Sequence, residues 1–226
     1  MPNYLRRAFT SVRYRTGRRL DRASVARAHD VLYASDAWTH ARWLGTQALK
    51  NPLDLWVYQE IVFETRPELI VETGTYRGGS ALYLASLCDL IGSGEVVSID
   101  VEPVREDYPP HPRITYLGGR SSTDPAVVEE VRERAGGRPL LVVLDSDHSQ
   151  RHVEAELATY APMVPVGCYL IVEDSNIGRV RKDLVPGPLE AVETFLATTD
   201  DFEIDREREK FLITFNPSGY LRRVRS

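Results

Sequence analysis

Cysteine is nearly absent: only Cys88 and Cys168 occur in 226 residues, 80 positions apart and without a C-x-x-C partner. This spacing excludes a disulfide scaffold and a cysteine zinc site, and it points to a reducing, cytoplasmic compartment. Long apolar runs are missing as well. None approaches the roughly 18–20 residues of a membrane span, and no apolar core of about 7–15 residues follows the N-terminal arginines as a secretory signal requires. With 15 glycines and 14 prolines the chain is neither collagen-like nor of low complexity. Covalent-nucleophile signatures are lacking: there is no G-x-S-x-G elbow, no P-loop and no reactive-cysteine context, which weakens hydrolase and kinase readings.

What is present suffices for one ordinary domain, with 42% hydrophobic and 27% charged residues in a length that leaves little room for a second full-size one. The net charge of −5 conceals an asymmetry. Residues 1–30 hold eight arginines (Arg6, Arg7, Arg13, Arg15, Arg18, Arg19, Arg22 and Arg27) against Asp21 and Asp30, a net +6 that leaves −11 on the remainder. Such an arm could touch a phosphate-bearing partner or a membrane surface, but it is read first as a solvated helix on the body or on another subunit. Its interspersed Tyr4, Leu5, Phe9, Val12, Tyr14 and Leu20 favour a homo-oligomer in which the arm makes subunit contacts or covers the cleft. An acidic body argues against nucleic acid, which calls for a basic face with interleaved aromatics. Residues 1–50 are therefore taken as a basic helical extension and residues 51–226 as the globular domain.

Helix-compatible spacing runs through 21–50, and a further helix begins at Asn51-Pro52 with Leu55, Tyr58, Gln59 and Val62 at i, i+3, i+4 and i+7. From Leu69 the pattern changes to short β-branched runs at 69–72, 95–100, 114–117, 140–145 and 168–173. Helices are predicted between and after them at 80–90, 124–134, 149–160 and 188–198. Strands apolar nearly throughout, alternating with helices, imply a mostly parallel sheet covered on both faces: an α/β, doubly wound, Rossmann-like fold. The end differs. Residues 202–208 and 211–215 are separated only by Glu209 and Lys210, too little for a parallel crossover, so an antiparallel hairpin is expected to close one sheet edge.

In an open parallel sheet the ligand crevice lies beyond the carboxyl ends of the strands, where the strand order reverses. The first predicted strand ends in Glu72-Thr-Gly74-Thr-Tyr-Arg-Gly78-Gly79-Ser80, the second in Asp100, the fourth in Asp145-Ser-Asp147-His148 and the fifth in Glu173-Asp174. The glycines permit a tight turn and a close approach of cofactor to backbone at a helix N-terminus. Their spacing, G-x-x-x-G-G, fails the dinucleotide fingerprint. Glu72 beside that loop is awkward for a pyrophosphate but suits the ammonium and sulfonium of S-adenosylmethionine, and Asp100 suits ribose hydroxyls. Asp145, Glu173 and Asp174 converging from two strand ends would repel one another unless a cation compensated them, and Mg²⁺ is the natural choice. Helix capping is the plainer alternative for each of them singly. Asp147 is a fourth candidate by strand alternation. His148 is a candidate general base towards a metal-acidified hydroxyl. His148 and His152 at i and i+4 also permit zinc, although H-E-x-x-H is absent.

These residues resemble the cephalosporin hydroxylase-like family of S-adenosylmethionine-dependent methyltransferases, related to metal-dependent sugar O-methyltransferases of macrolide and mycobacterial polysaccharide pathways. The resemblance rests on Lys50-Asn-Pro-Leu-Asp-Leu-Trp-Val-Tyr-Gln-Glu60, the 72–80 loop, Ser98-Ile-Asp100, Leu144-Asp-Ser-Asp-His-Ser149 and Ile171-Val-Glu-Asp-Ser-Asn176. It implies a class I methyltransferase fold, with Glu72, Gly74, Tyr76, Ser80 and Asp100 at the cofactor. Arg120, Ser121 and Ser122 would lie near the adenine, Asp145, Glu173 and Asp174 on Mg²⁺, with Asp145 also at the cofactor, and His148 would act as base. No iron triad or other oxygen-activating set is visible, so hydroxylation is not the chemistry expected.

The expected function is therefore methyl transfer to a hydroxyl of a sugar or glycosylated small metabolite, with S-adenosylmethionine and Mg²⁺ as cofactors. Two rivals are a nicotinamide-dependent oxidoreductase on the same fold and a non-catalytic cofactor-binding partner of another enzyme.

Overall fold

The computed structural model describes residues 22–225. The arginines before residue 22, with the apolar residues between them, lie outside the described residues. Helix α1 (Arg22–Ala34) and a short 3₁₀ turn at Ala37–His40 are followed by the strands β1 (Arg42–Trp43) and β2 (Thr46–Gln47), paired antiparallel across Leu44 and Gly45. The helical spacing expected as far as residue 50 therefore stops at His40. Leu44 and Gly45 both take positive φ, the conformation of a tight hairpin turn.

Helix α2 (Pro52–Thr65) starts where its sequence says it must. Pro52 occupies the first helical position, and the Asn51 side chain accepts a hydrogen bond from the Leu53 amide. Next come β3 (Leu69–Thr73), α3 (Gly79–Ile91), β4 (Glu95–Asp100), β5 (Ile114–Gly118), α4 (Pro125–Ala135), β6 (Leu140–Leu144), α5 (Gln150–Tyr160) and β7 (Tyr169–Val172). The short helix α6 (Ile177–Val180), helix α7 (Pro188–Thr198) and the strands β8 (Phe202–Ile204) and β9 (Tyr220–Arg223) complete the chain.

Seven strands form one sheet in the order β5-β4-β3-β6-β7-β9-β8. The first five are parallel, and the order reverses between β3 and β6. Successive strand residues serve opposite faces, which gives two cores. Val71, Val97, Val142 and Leu170 pack against α4, α5 and α7, while Ile70, Val96, Leu141 and Ile171 pack against α2 and α3. This is the doubly wound, mostly parallel α/β sheet that the apolar runs imply.

The C-terminal antiparallel pair exists, but its second strand is not 211–215. β9 inserts between β7 and β8, antiparallel to both. Residues Arg206–Glu209 turn as a 3₁₀ helix, with the Asp205 carboxylate accepting the Glu207 amide. The reason is burial. Tyr220 and Leu221 are fully buried, whereas Phe211 and Leu212 are 38% and 47% exposed, so the sheet takes the segment that removes more apolar surface from water.

Candidate active site

Thr73 is the cross-strand partner of both Ile99 and Leu144, and Leu144 of Val172. The next residues, Gly74, Asp100, Asp145 and Glu173, therefore form one rim at the carboxyl ends of four neighbouring strands, across the point where strand order reverses. Gly74 has φ +89°, and a Cβ there would stand 2.0 Å from the Asp145 carbonyl oxygen. Only glycine lets the 72–80 loop lie against Asp145.

Three of the predicted residues meet at this rim. One ligand-type atom from each of Asp145, His148 and Asp174 lies within 4.8 Å of the others. His148 Nε2 is 3.1 Å from Asp174 Oδ2 and 3.5 Å from Asp145 Oδ1, buried and without a well-formed hydrogen bond. Burial works against its charge, but the Asp145 and Asp174 carboxylates override burial and push the imidazole up to about 10. Asp174 sits at φ +52°, unusual for a side-chain-bearing residue, and its amide donates to Asn216 Oδ1 at 3.1 Å.

Glu173 is placed differently from its two fellow carboxylates. Its side chain turns inward, where Oε1 accepts the Tyr58 hydroxyl at 2.7 Å and the Lys50 ammonium at 2.8 Å. It lies behind the Asp145–His148–Asp174 group rather than within it. Burial, reinforced by the negative field of Asp145, holds its carboxyl well above the usual range. Lys50 also pairs with Asp145 Oδ2. Burial opposes its charge, yet Asp145, Glu173 and Glu72 together keep the ammonium above its ordinary value. Asp145, half-buried, is held low despite desolvation, first by Lys50 and then by His148.

Asp147 is exposed and caps its own turn, its carboxylate accepting the Ser149 amide at 2.7 Å. His152 turns from His148 towards Glu156, at 3.4 Å, so the i, i+4 pair does not form the zinc site that the sequence permits.

On the other side of the switch point, Glu72 is fully buried and accepts the Ser98 hydroxyl at 2.7 Å, while its Oε1 has no partner. Burial raises its carboxyl. Ser80 lies at the start of α3 and works against that rise. Asp100 Oδ2 accepts the amides of Thr75 and Tyr76 at 2.9 and 3.0 Å, tying the end of β4 to the loop. Tyr76 is half-exposed at the loop tip with φ +48°. The Arg120 amide donates to the Asp100 carbonyl, which sets Arg120 and Ser121 beside β4. Ser122 instead points inward and donates to the buried Glu156 at 2.6 Å.

Lys50, Tyr58 and Asn216 are the residues that sequence reasoning missed. Tyr58 reads as an apolar position of α2, and Lys50 as an ordinary charge before a helix cap. No periodicity marks either as a partner of Glu173, because the contacts span 115 and 123 positions of chain.

The family model for Rhamnosyl O-methyltransferase/CmcI matches residues 35–224. A rhamnosyl O-methyltransferase of Mycobacterium bovis is 38% identical over 202 residues, covering 85% of this chain and 82% of the relative. The Mycobacterium leprae protein of the same name is 37% identical over 203 residues, with 85% and 87% covered. The chain belongs to the rhamnosyl O-methyltransferase/CmcI family. Among solved structures, apo CmcI-N160 aligns with a TM-score of 0.64 at 27% identity, covering 83% of this chain and 78% of CmcI. The structure described as cmcI-D160 Mg-SAM aligns at 0.62 and 25% identity, covering 82% and 77%. As a member of this family the chain is a class I, S-adenosylmethionine-dependent O-methyltransferase, which sets aside the nicotinamide and non-catalytic readings.

Proposed function

We propose that the chain methylates a hydroxyl of a sugar or glycosylated small metabolite, with S-adenosylmethionine as donor and Mg²⁺ held at the rim. The observation that carries this reading is the convergence of Asp145, His148 and Asp174 beside the Gly74 loop. Two carboxylates, Asp145 and Asp174, brought together beside a buried imidazole nitrogen that lacks a proper hydrogen bond are the oxygen donors a divalent ion takes, with the nitrogen left for a proton. The relatives' name supports a sugar acceptor, and the CmcI complex with Mg and SAM supports the cofactors.

Asp145 and Asp174 would hold the ion, with Glu173 behind them. Bound Mg²⁺ supplies positive charge that makes a neighbouring hydroxyl more acidic, and the cofactor supplies the electrophilic methyl. The chain does the rest. With a cation on Asp145 and Asp174 weakening the field that keeps His148 protonated, the neutral imidazole would take the hydroxyl proton at Nε2 as the acceptor oxygen gains the methyl. The 72–80 loop, laid against Asp145 by Gly74 and anchored by Asp100, orients the donor. Glu72, Ser80 and Tyr76 would line its near side, and Arg120 and Ser121 would lie towards the adenine end, with Ser122 turned inward to Glu156.

The test is Mg²⁺ activation after chelator treatment. Wild type should lose activity in chelator and regain it with Mg²⁺; Asp145→Asn should weaken both the activity and its metal dependence. His148→Ala should retain cofactor binding while turnover falls roughly 10²–10⁴-fold. Full wild-type activity in excess chelator removes the metal from the reading, and an unimpaired His148→Ala moves the base elsewhere.

We further propose that the chain assembles as a homo-oligomer. Trp56 and Phe63, 59% and 61% exposed, stand seven residues apart on one face of α2 and support a buried subunit contact there.

A further inference from the structure

Lys50 is 4% exposed and is the one buried lysine or arginine among the described residues. It precedes α2, outside the strand ends that build the rim, yet its ammonium reaches Asp145 and Glu173 together. The placement is enforced from two sides. Asn51 caps α2, and the Lys50 and Ala48 amides bond to the Ala48 and Ala41 carbonyls, so the segment before α2 cannot slide. Tyr58, about two turns further on along α2, holds Glu173 from the other side.

A fixed cation behind a metal site has a definite electrostatic consequence. With His148 neutral, as its role as base requires, Asp145, Glu173 and Asp174 carry three negative charges if ionised, and Lys50 offsets one. The remaining −2 matches a divalent ion. Without Lys50 the buried carboxylates would lack compensation in the metal-free protein, and the set would favour a cation of higher charge.

We propose that Lys50 is the permanent internal counter-ion of the Asp145–Glu173 pair: it keeps the rim assembled before metal arrives and sets the site's charge for a divalent ion. This rests on the metal reading above. Lys50 is a positioning residue, since its ammonium touches the carboxylates rather than substrate.

The experiment uses the full chain as Lys50→Met, Lys50→Arg and the double variant Lys50→Met with Glu173→Gln. Metal-free melting is followed by calorimetric titration with Mg²⁺ and luminescence titration with Tb³⁺. Lys50→Met should melt about 10 °C below wild type without metal, as expected for a buried carboxylate left unpaired. Lys50→Arg and the double variant should recover much of that loss. Saturating Mg²⁺ should raise the melting temperature of Lys50→Met more than that of wild type. Its Tb³⁺ affinity should rise about tenfold or more, and by a larger factor than its Mg²⁺ affinity.

Unchanged metal-free melting in Lys50→Met overturns the counter-ion role, and equal Mg²⁺ and Tb³⁺ responses in all variants overturn the charge-setting role. If wild type binds no Mg²⁺ at all, the metal reading fails by itself, and the metal-free melting series still decides whether Lys50 compensates the pair. Should Lys50→Met not fold, Lys50→Arg and the double variant carry the test: a double variant that also fails to fold overturns the proposal.

Discussion

His148 shows most directly how neighbours decide what a residue can do. An imidazole ordinarily titrates near 6.5, and the two carboxylates beside it push it up to about 10 despite burial. A folded-state value above the unfolded one means that the folded protein binds the extra proton more tightly. The stability from this group is therefore fully present below about pH 6.5 and is lost as pH rises towards about 10. We expect the metal-free protein to lose stability across that window in urea melts at stepped pH, and His148→Gln to flatten the loss. Added Mg²⁺ should flatten it as well, because a cation on Asp145 and Asp174 weakens the field that holds the proton. A wild-type profile insensitive to metal would contradict this account. The sequence placed His148 three residues from Asp145 in a turn; that it faces Asp174 as well required β6 and β7 to be neighbours.

At the scale of elements, α2 is the connector between the rim and the C-terminal segment. Its Asp54 is buried and accepts hydrogen bonds from Thr214 Oγ1 at 2.5 Å, the Phe215 amide at 2.9 Å and the Tyr220 hydroxyl at 2.9 Å. Burial outweighs these bonds and lifts its carboxyl to about 6, from an ordinary 3.8. Again the folded value is the higher one, so the stability from this group is full below about pH 4 and declines as pH rises to about 6. Asp54→Asn should remove that part of the slope, and Asp54→Ala should destabilise at all pH by roughly 1–3 kcal/mol, since it strands buried donors. Chemical denaturation at pH 4 and pH 7 separates the two. The same contacts explain why 211–215 is not a strand: Thr214 and Asn216 are committed to Asp54, Tyr58 and Asp174. A pattern of apolar residues cannot show such a commitment, because the partner lies about 160 residues away.

For the whole molecule, the exposed Trp56 and Phe63 on α2 lead to a concrete expectation. Light scattering at tens of micromolar should report a dimer or larger for wild type, and Trp56→Ser with Phe63→Ser should shift it towards monomer with little loss of secondary structure, since both side chains already face solvent. A monomeric wild type would remove the oligomer. What the sequence by itself determined is local or periodic: the five parallel strands, their crossover helices, the helix start at Asn51-Pro52, and the acidic strand ends that form the rim. These follow from side-chain period, helix capping and the rule that ligands gather where strand order reverses. Only the tertiary structure decided which segment pairs with β8, that Glu173 turns inward while Asp174 joins Asp145 and His148, and that Lys50 supplies the cation between them. Those outcomes depend on competition for burial or on charged groups brought together from separate parts of the chain, up to 123 positions apart for Lys50 and Glu173, and no local pattern records either.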